Sequence, residues 1–244
     1  MSNEAVAIIV IDREPVNALT PEQWSELRRQ IDVTATDESV RAVVISGGPD
    51  RFCAGADINS LLEPADEPAL MLRLVAEVAE AIRSHRAPVI AAIDGPAHGG
   101  GFELALACDI RVASPSATFA ASGVNMGLVA SVRSLAKTIG ETHARTMLLT
   151  GARVDAATAD RWGLVTHVDE RPDQLAIELA LTVADKAPLA IESTKRALVA
   201  LDTMRPDEHD LLMTDLFGSL ARSADHAEAI GAFLEKRRPN FIRS

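Results

Sequence analysis

An α/β fold with a mainly parallel sheet is predicted by three observations: short apolar runs alternate with amphipathic stretches, turn residues separate them, and the last third of the chain is helical in pattern. Val6 to Ile11 reads as the first buried strand, and Asp12 to Asn17 turns around Pro15. Thr20-Pro21-Glu22-Gln23 then supplies an N-cap, a proline at the first helical position and polar residues in the first turn. This helix runs from Pro21 to about Ala35, with Trp24, Leu27 and Ile31 on one face. Arg41 to Ser46 is the second strand, closed by Gly47-Gly48-Pro49. An acidic, proline-punctuated loop from Glu63 to Pro68 leads into a long amphipathic helix, Ala69 to Ser84. Pro88 to Ile93 is a strand whose unbroken apolar run predicts burial on both faces. Asp94-Gly95-Pro96 breaks it, Gly99 to Ala107 forms the next helix, and Ile110 to Ala113 the next strand. Strands and helices in this order imply right-handed β-α-β crossovers.

From Val132 onward the pattern is helical: Val132 to Ile139, Glu141 to Leu149, Asp155 to Trp162, Asp173 to Lys186, Pro188 to Leu201, and a last pair within Asp207 to Lys236. Only Leu164 to Val168 reads as a further strand. The expected organisation is one continuous unit, an α/β core over residues 1–190 with a C-terminal helical region over 191–244.

Composition narrows the function classes. The chain has 244 residues, 48% of them hydrophobic and 24% charged, which fits a globular protein and excludes a disordered or collagenous class. A net charge of -11 argues against nucleic acid or an anionic membrane surface as partner. Cys53 and Cys108 read as small buried hydrophobes in a reducing compartment, since two isolated thiols make no disulfide framework. The N-terminal residues lack the basic start of a signal peptide, and no apolar run approaches the roughly 20 residues that span a bilayer. A cytoplasmic protein is the expectation. The six histidines show no zinc-binding spacing, and neither a G-x-S-x-G elbow nor a P-loop is present in the sequence.

Two glycine-bearing stretches carry the chemistry: Phe52-Cys53-Ala54-Gly55-Ala56-Asp57-Ile58 and His98-Gly99-Gly100-Gly101-Phe102-Glu103-Leu104. Both read as loops that follow strands, where ligands of open α/β sheets bind. Three glycines leave the opening turn of a helix bare, so its free N–H groups and positive dipole end face whatever sits there. Tight helix packing accounts for such glycines as well. Two bare loops that grip one oxygen would form an oxyanion hole, which stabilises charge developing in a transition state. Glu103, in the same first turn, suits the helix dipole, and would also stand within reach of a polarised carbonyl as an acid or base.

These stretches, together with Ile93-Asp94-Gly95-Pro96-Ala97 ahead of His98, Cys108-Asp109 beyond, Asp12 to Leu19, and the ending Phe233-Leu234-Glu235-Lys236-Arg237-Arg238-Pro239-Asn240-Phe241, resemble the enoyl-CoA hydratase/isomerase (crotonase) superfamily over nearly the whole chain. The resemblance implies a crotonase-like (ClpP/crotonase) spiral of β-β-α units with a C-terminal helical trimerisation region. It further implies an acyl-CoA thioester substrate, with coenzyme A present only as part of that substrate and no permanently bound cofactor or metal, and a homotrimer or dimer of trimers. Carried over by position, Ala56 and Gly100 would donate main-chain N–H groups to the thioester oxygen. Ala54, Asp57, Ile58 and Asn59 would line the CoA path, and Ala18 and Leu19 would approach the nucleotide end. Glu103 matches the first of the two hydratase glutamates.

The second glutamate is replaced. Four residues after Phe119 the chain has Gly123, and the following Gly127-Leu128-Val129-Ala130-Ser131-Val132-Arg133 lacks the usual proline and paired glycines and is shorter. Gly123 would leave room for a bound anion or a bulkier acyl group. The resemblance therefore implies a hydratase-type lyase that stabilises an enolate; a decarboxylase or isomerase of the same superfamily, or a catalytically weak acyl-CoA-binding protein, are the other readings. His98 reads as a loop histidine satisfied by backbone. Arg133, Lys137, Arg145, Lys195 and Arg196 read as solvated helix faces.

Overall fold

The computed structural model describes residues 5–62 and 69–244. In chain order the strands are β1 (Val6–Val10), β2 (Ala18–Leu19), β3 (Ala42–Ser46), β4 (Gly55–Ala56), β5 (Val89–Ile93), β6 (Pro96–His98), β7 (Ile110–Ala113), β8 (Thr118–Ala120), β9 (Val154–Asp155) and β10 (His167–Val168). The helices are α1 (Pro21–Thr36), α2 (Ile58–Leu62), α3 (Leu70–Ser84), α4 (Gly100–Ala107), α5 (Val132–Thr150), α6 (Ala156–Arg161), α7 (Pro172–Ala184), α8 (Pro188–Ala200), α9 (Pro206–Leu220) and α10 (Ala224–Glu235), with a 3-10 helix at Ser122–Met126. The acidic loop read at Glu63 to Pro68 lies outside the described residues.

The main sheet is parallel, in the order β1-β3-β5-β7-β10. Its central strands, Ala-Val-Val-Ile-Ser and Val-Ile-Ala-Ala-Ile, are buried at every position, because both faces are covered. Alternation divides them: Val43, Ile45, Ala91 and Ile93 join the core that contains Trp24, Leu27, Ile31, Val78 and Ile82 of α1 and α3. Val6, Ala42, Val44, Ile90, Ala92 and Val112 pack on the other face against Ala176 and Ala180 of α7. A second layer of short strands stands beyond the main sheet, β2 beside β4 and, separately, β6-β8-β9 with β8 antiparallel to β9.

Two sequence expectations change, at the strand read from Leu164 and at Lys195. Leu164 and Val165 are buried, but both their amides donate to Ala159 O and close off α6, so pairing with β7 is confined to His167 and Val168. The break expected between two helices at Gly140 is present inside α5, where Gly140 leaves helical geometry at φ 74° and ψ 157°. Lys195 is no solvated cation: it is 5% exposed, and its ammonium donates to Asp109 Oδ2 at 2.8 Å, Ile82 O at 2.9 Å and Ala87 O at 3.2 Å. Three acceptors use its three N–H bonds, so α8 is pinned to the end of α3 and the start of β5. Residues 190 and 191, the expected boundary of the helical region, fall inside α8. Beyond it α9 buries none of its residues, and Phe217 and Phe233 stand 75% and 82% exposed.

Candidate active site

The two glycine stretches interlock. Cys53 pairs with β6: its N–H donates to Pro96 O at 3.0 Å and its carbonyl accepts from His98 N at 3.0 Å. The next residues turn to the opposite neighbour, with Ala54 N donating to Val16 O at 3.1 Å and Asp57 N to Leu19 O at 2.9 Å, in register Ala18 with Gly55 and Leu19 with Ala56. The change of partner comes between Cys53 and Ala54, immediately before Gly55, where φ is +101°. A Cβ there would lie 2.8 Å from Gly100 N and 2.9 Å from His98 O. At Gly101 the fit is closer still, with the Cβ position 2.0 Å from Cys53 O. Neither place admits a side chain, and the sequence expectation that both stretches are plain loops gives way to strand segments, β4 and the end of β6.

Main-chain donors are left over at this junction. Gly99, the N-cap of α4 at φ 52°, donates to Ala120 O at 3.0 Å, and its carbonyl accepts from both Phe102 N and Glu103 N at 3.1 Å. Gly100 is the first residue of the helix, and its N–H has no partner among the described residues. On the other stretch, donation from Asp57 to Leu19 means that the alternation of a parallel ladder turns the Ala56 N–H away from β2. Behind Gly100 lies the core: a Cβ would stand 2.9 Å from Trp24 Cζ2 and 3.2 Å from Val75 Cγ2.

Glu103 is half-buried, and Ser134 Oγ of α5 donates to its Oε2 at 3.0 Å. The room expected beside Gly123 is taken up by main chain, because a Cβ there would meet Leu128 O at 3.0 Å and Ala130 N at 3.3 Å. His98 faces a side chain rather than backbone, with Nε2 3.0 Å from Thr118 Oγ1, and burial followed by the nearby Arg153 charge lowers its pKa. Asp57 is 8% exposed and bonds Arg13 at 2.6 Å; that guanidinium holds its carboxyl below the ordinary aspartate range. Burial pushes the Cys53 thiol up to about 12, and its Sγ donates to Asn17 O at 3.1 Å.

Of the residues expected on the CoA path, Ala18, Ala54, Ala56 and Asp57 are brought together by the β2–β4 pairing, with Ile58 and Asn59 exposed just beyond. Leu19 sits at the same place, but its side chain is buried in the core and its carbonyl accepts from Asp57 N, so it serves the pairing of β2 with β4. Arg133 and Lys137 are held by Asp202, and Arg145 by Glu141. Three residues that shape the junction escape a sequence reading. Asn17, fully buried at φ 55°, donates to Gly47 O and Phe52 O at 2.9 Å each and accepts from Arg13 N at 2.8 Å. Trp24 reads only as a helix-face hydrophobe, and nothing local marks Ser134. The Asx pattern of a turn was the one available signal, at Asn17.

A parallel α/β core, a switch of strand partners, a glycine-opened helix and a carboxylate one turn inside it define a class of ligand-binding site built from main chain. Comparison with known proteins specifies the class: the family model described as Enoyl-CoA hydratase/isomerase matches residues 1–243, and the chain belongs to this family. The chain is 37% identical to (E)-benzylidenesuccinyl-CoA hydratase of Thauera aromatica, with 97% of this chain and 95% of that protein covered. It is 34% identical to 2,3-dehydroadipyl-CoA hydratase of Escherichia coli strain K12, with 98% and 95% covered. Among solved structures, an enoyl-CoA hydratase from Bacillus anthracis superposes with a TM-score of 0.95 at 28% identity, covering 100% of this chain and 98% of the other. The fold is that of the crotonase family.

Proposed function

We propose that the protein is a lyase of the enoyl-CoA hydratase type, adding water to a 2-enoyl-CoA. The observation that carries this reading is the contact of Gly55 with Gly100 and of Gly101 with Cys53, which sets the unpartnered Gly100 N–H beside the strand that carries Ala56. Addition of a water oxygen to the β-carbon drives negative charge onto the thioester oxygen. Two amides fixed by the fold stabilise that charge without reorganising when it forms. Glu103, half-buried one turn along α4, is the group that moves the proton. Ala18, Leu19, Ala54, Asp57, Ile58 and Asn59 line the CoA moiety, mostly with main chain, since the Asp57 carboxylate is engaged by Arg13.

Replacing Glu103 by Gln tests the assignment, with turnover of crotonyl-CoA and 2,3-dehydroadipyl-CoA followed by loss of enoyl absorbance. The expected loss is roughly 10²- to 10⁴-fold with acyl-CoA affinity retained. Unchanged turnover removes Glu103 from the mechanism. The second reading, an acyl-CoA-binding protein with little turnover, is favoured by Gly123, and binding of both thioesters without hydration by the unaltered protein establishes it. Decarboxylation and isomerisation pass through the same enolate, and product analysis separates them.

The protein works as a homotrimer or a dimer of trimers in the cytoplasm. Exposed Leu211, Phe217, Phe233 and Leu234 on α9 and α10 support self-association, and free buried Cys53 and Cys108 support a reducing compartment. Light scattering that gives a monomer at micromolar concentration refutes the assembly.

A further inference from the structure

The two oxygens of Glu103 stand in unlike surroundings. Ser134 Oγ donates to Oε2 at 3.0 Å, whereas Oε1 has no hydrogen-bond partner among the described residues and is not closed off from solvent. Two helix starts bring this about. Glu103 is the fourth residue of α4, where the Cα–Cβ bond tilts back toward Gly100 and its unpartnered N–H. Ser134 is the third residue of α5, delivered to the carboxylate from 31 residues along the chain.

The Ser134 hydroxyl has one hydrogen and two acceptors within reach. Ser131 O stands at 3.4 Å and is neutral, against 3.0 Å to the carboxylate oxygen. The hydrogen goes to the carboxylate, because a bond to a charged acceptor is the shorter and the stronger. The last torsion of a glutamate is broad and roughly two-fold, so a carboxyl without a partner turns and brings either oxygen forward. A single donor on one oxygen removes that freedom.

We propose that Ser134 is a positioning residue for the reaction: it ties Oε2 to α5 so that Oε1 alone exchanges protons with the substrate. This rests on the hydratase reading above. With glycine at position 123 in place of a second carboxylate, Glu103 must serve both proton transfers, and its orientation governs both. As a water oxygen bonds to the acyl β-carbon, its O–H bond breaks, the proton passes to Oε1 and the π electrons of the double bond move toward the thioester carbonyl. The same oxygen then returns a proton to the α-carbon, so H and OH are added and Glu103 ends as it began. Oε2 keeps its bond to Ser134 throughout, and the carboxyl need not turn between the two steps.

The test compares three variants. Ser134→Ala removes the hydroxyl and Ser134→Thr restores it. Thr138→Ala removes, from the next turn of α5, a hydroxyl that donates to Ser134 O at 2.8 Å and not to Glu103. With crotonyl-CoA, Ser134→Ala is expected to lower kcat about tenfold, the scale of one hydrogen bond to a charged group, with KM within about twofold. Its thermal midpoint stays level or rises, since alanine is the better helix former. Ser134→Thr recovers most of the rate, and Thr138→Ala keeps kcat within about twofold. A kcat for Ser134→Ala within about twofold of the unaltered enzyme overturns the assignment. So does an equal loss in Thr138→Ala or in Ser134→Thr, either of which marks a disturbance of α5 rather than a lost hold on Glu103. Absence of hydration by the unaltered protein refutes the functional reading and this one with it, whereas full hydration by Ser134→Ala refutes the positioning role alone.

Discussion

Replacing Gly55 by alanine probes the contact on which the site depends. Two costs follow from the structure. A φ of +101° is a glycine conformation, and forcing alanine into it costs about 1–3 kcal/mol. The new methyl also meets Gly100 N at 2.8 Å and His98 O at 2.9 Å, both main chain, and overpacking of that kind adds about 1–3 kcal/mol. The sum, about 2–6 kcal/mol, corresponds to a fall in melting temperature of roughly 4–24 °C for a chain of this length. Gly127→Ala is the matched control, because Gly127 has φ +70° with nothing within 4 Å of its Cβ position. It bears the backbone cost alone, roughly 2–12 °C. Function adds a second readout. Relief of the clash displaces Gly100 N, and misplacement by even part of an ångström lowers kcat/KM by roughly 10- to 100-fold. Calorimetry and the crotonyl-CoA assay on both variants decide the matter. Equal melting shifts in the two variants, with turnover of Gly55→Ala intact, refute the interlock.

Three further outcomes are expected. Lys195→Met leaves the Asp109 carboxylate without its ion pair and takes one of the partners from each of three acceptors, which costs about 3 kcal/mol in urea unfolding; a change under about 0.5 kcal/mol contradicts a buried role. The Asp57 carboxyl has a folded pKa below its unfolded value, so its contribution is present above the ordinary aspartate range and lost as pH falls through the folded pKa. Asp57→Asn is therefore less stable than the unaltered protein at neutral pH, and the gap closes in acid; a gap that widens in acid reverses the assignment. Burial holds both thiols at about 12, so a chromogenic disulfide reagent at pH 8 leaves Cys53 and Cys108 untouched in the native protein and labels both after unfolding. Rapid labelling of the native chain contradicts their enclosure.

The sequence discloses elements whose cause is local. The proline and polar start of α1, the continuous apolar runs of β3 and β5, and the glycine opening of α4 all stand within a few residues of where they were expected. The short strands β2, β4, β6, β8 and β9 were not legible, because two or three residues give no period and each is defined by its neighbour. The same holds at the site. Glu103 and the glycines announce themselves, whereas the buried state of Lys195 depends on Asp109, 86 residues away, and Ser134 matters only because α5 folds back onto α4. Gly123 stands out only against the family pattern, and the filling of its surroundings by Leu128 and Ala130 depends on how the following segment folds.

With Cys53 O standing where a side chain at position 101 would begin, the opening turn of α4 is seated against its neighbouring strand with no slack. Any ligand of this junction would meet a socket already cast, with none of its affinity diverted into shaping the walls. The exposed run through Val124, Leu128 and Val129 carries no such backing, so any give in this neighbourhood belongs to it and not to the anvil beneath.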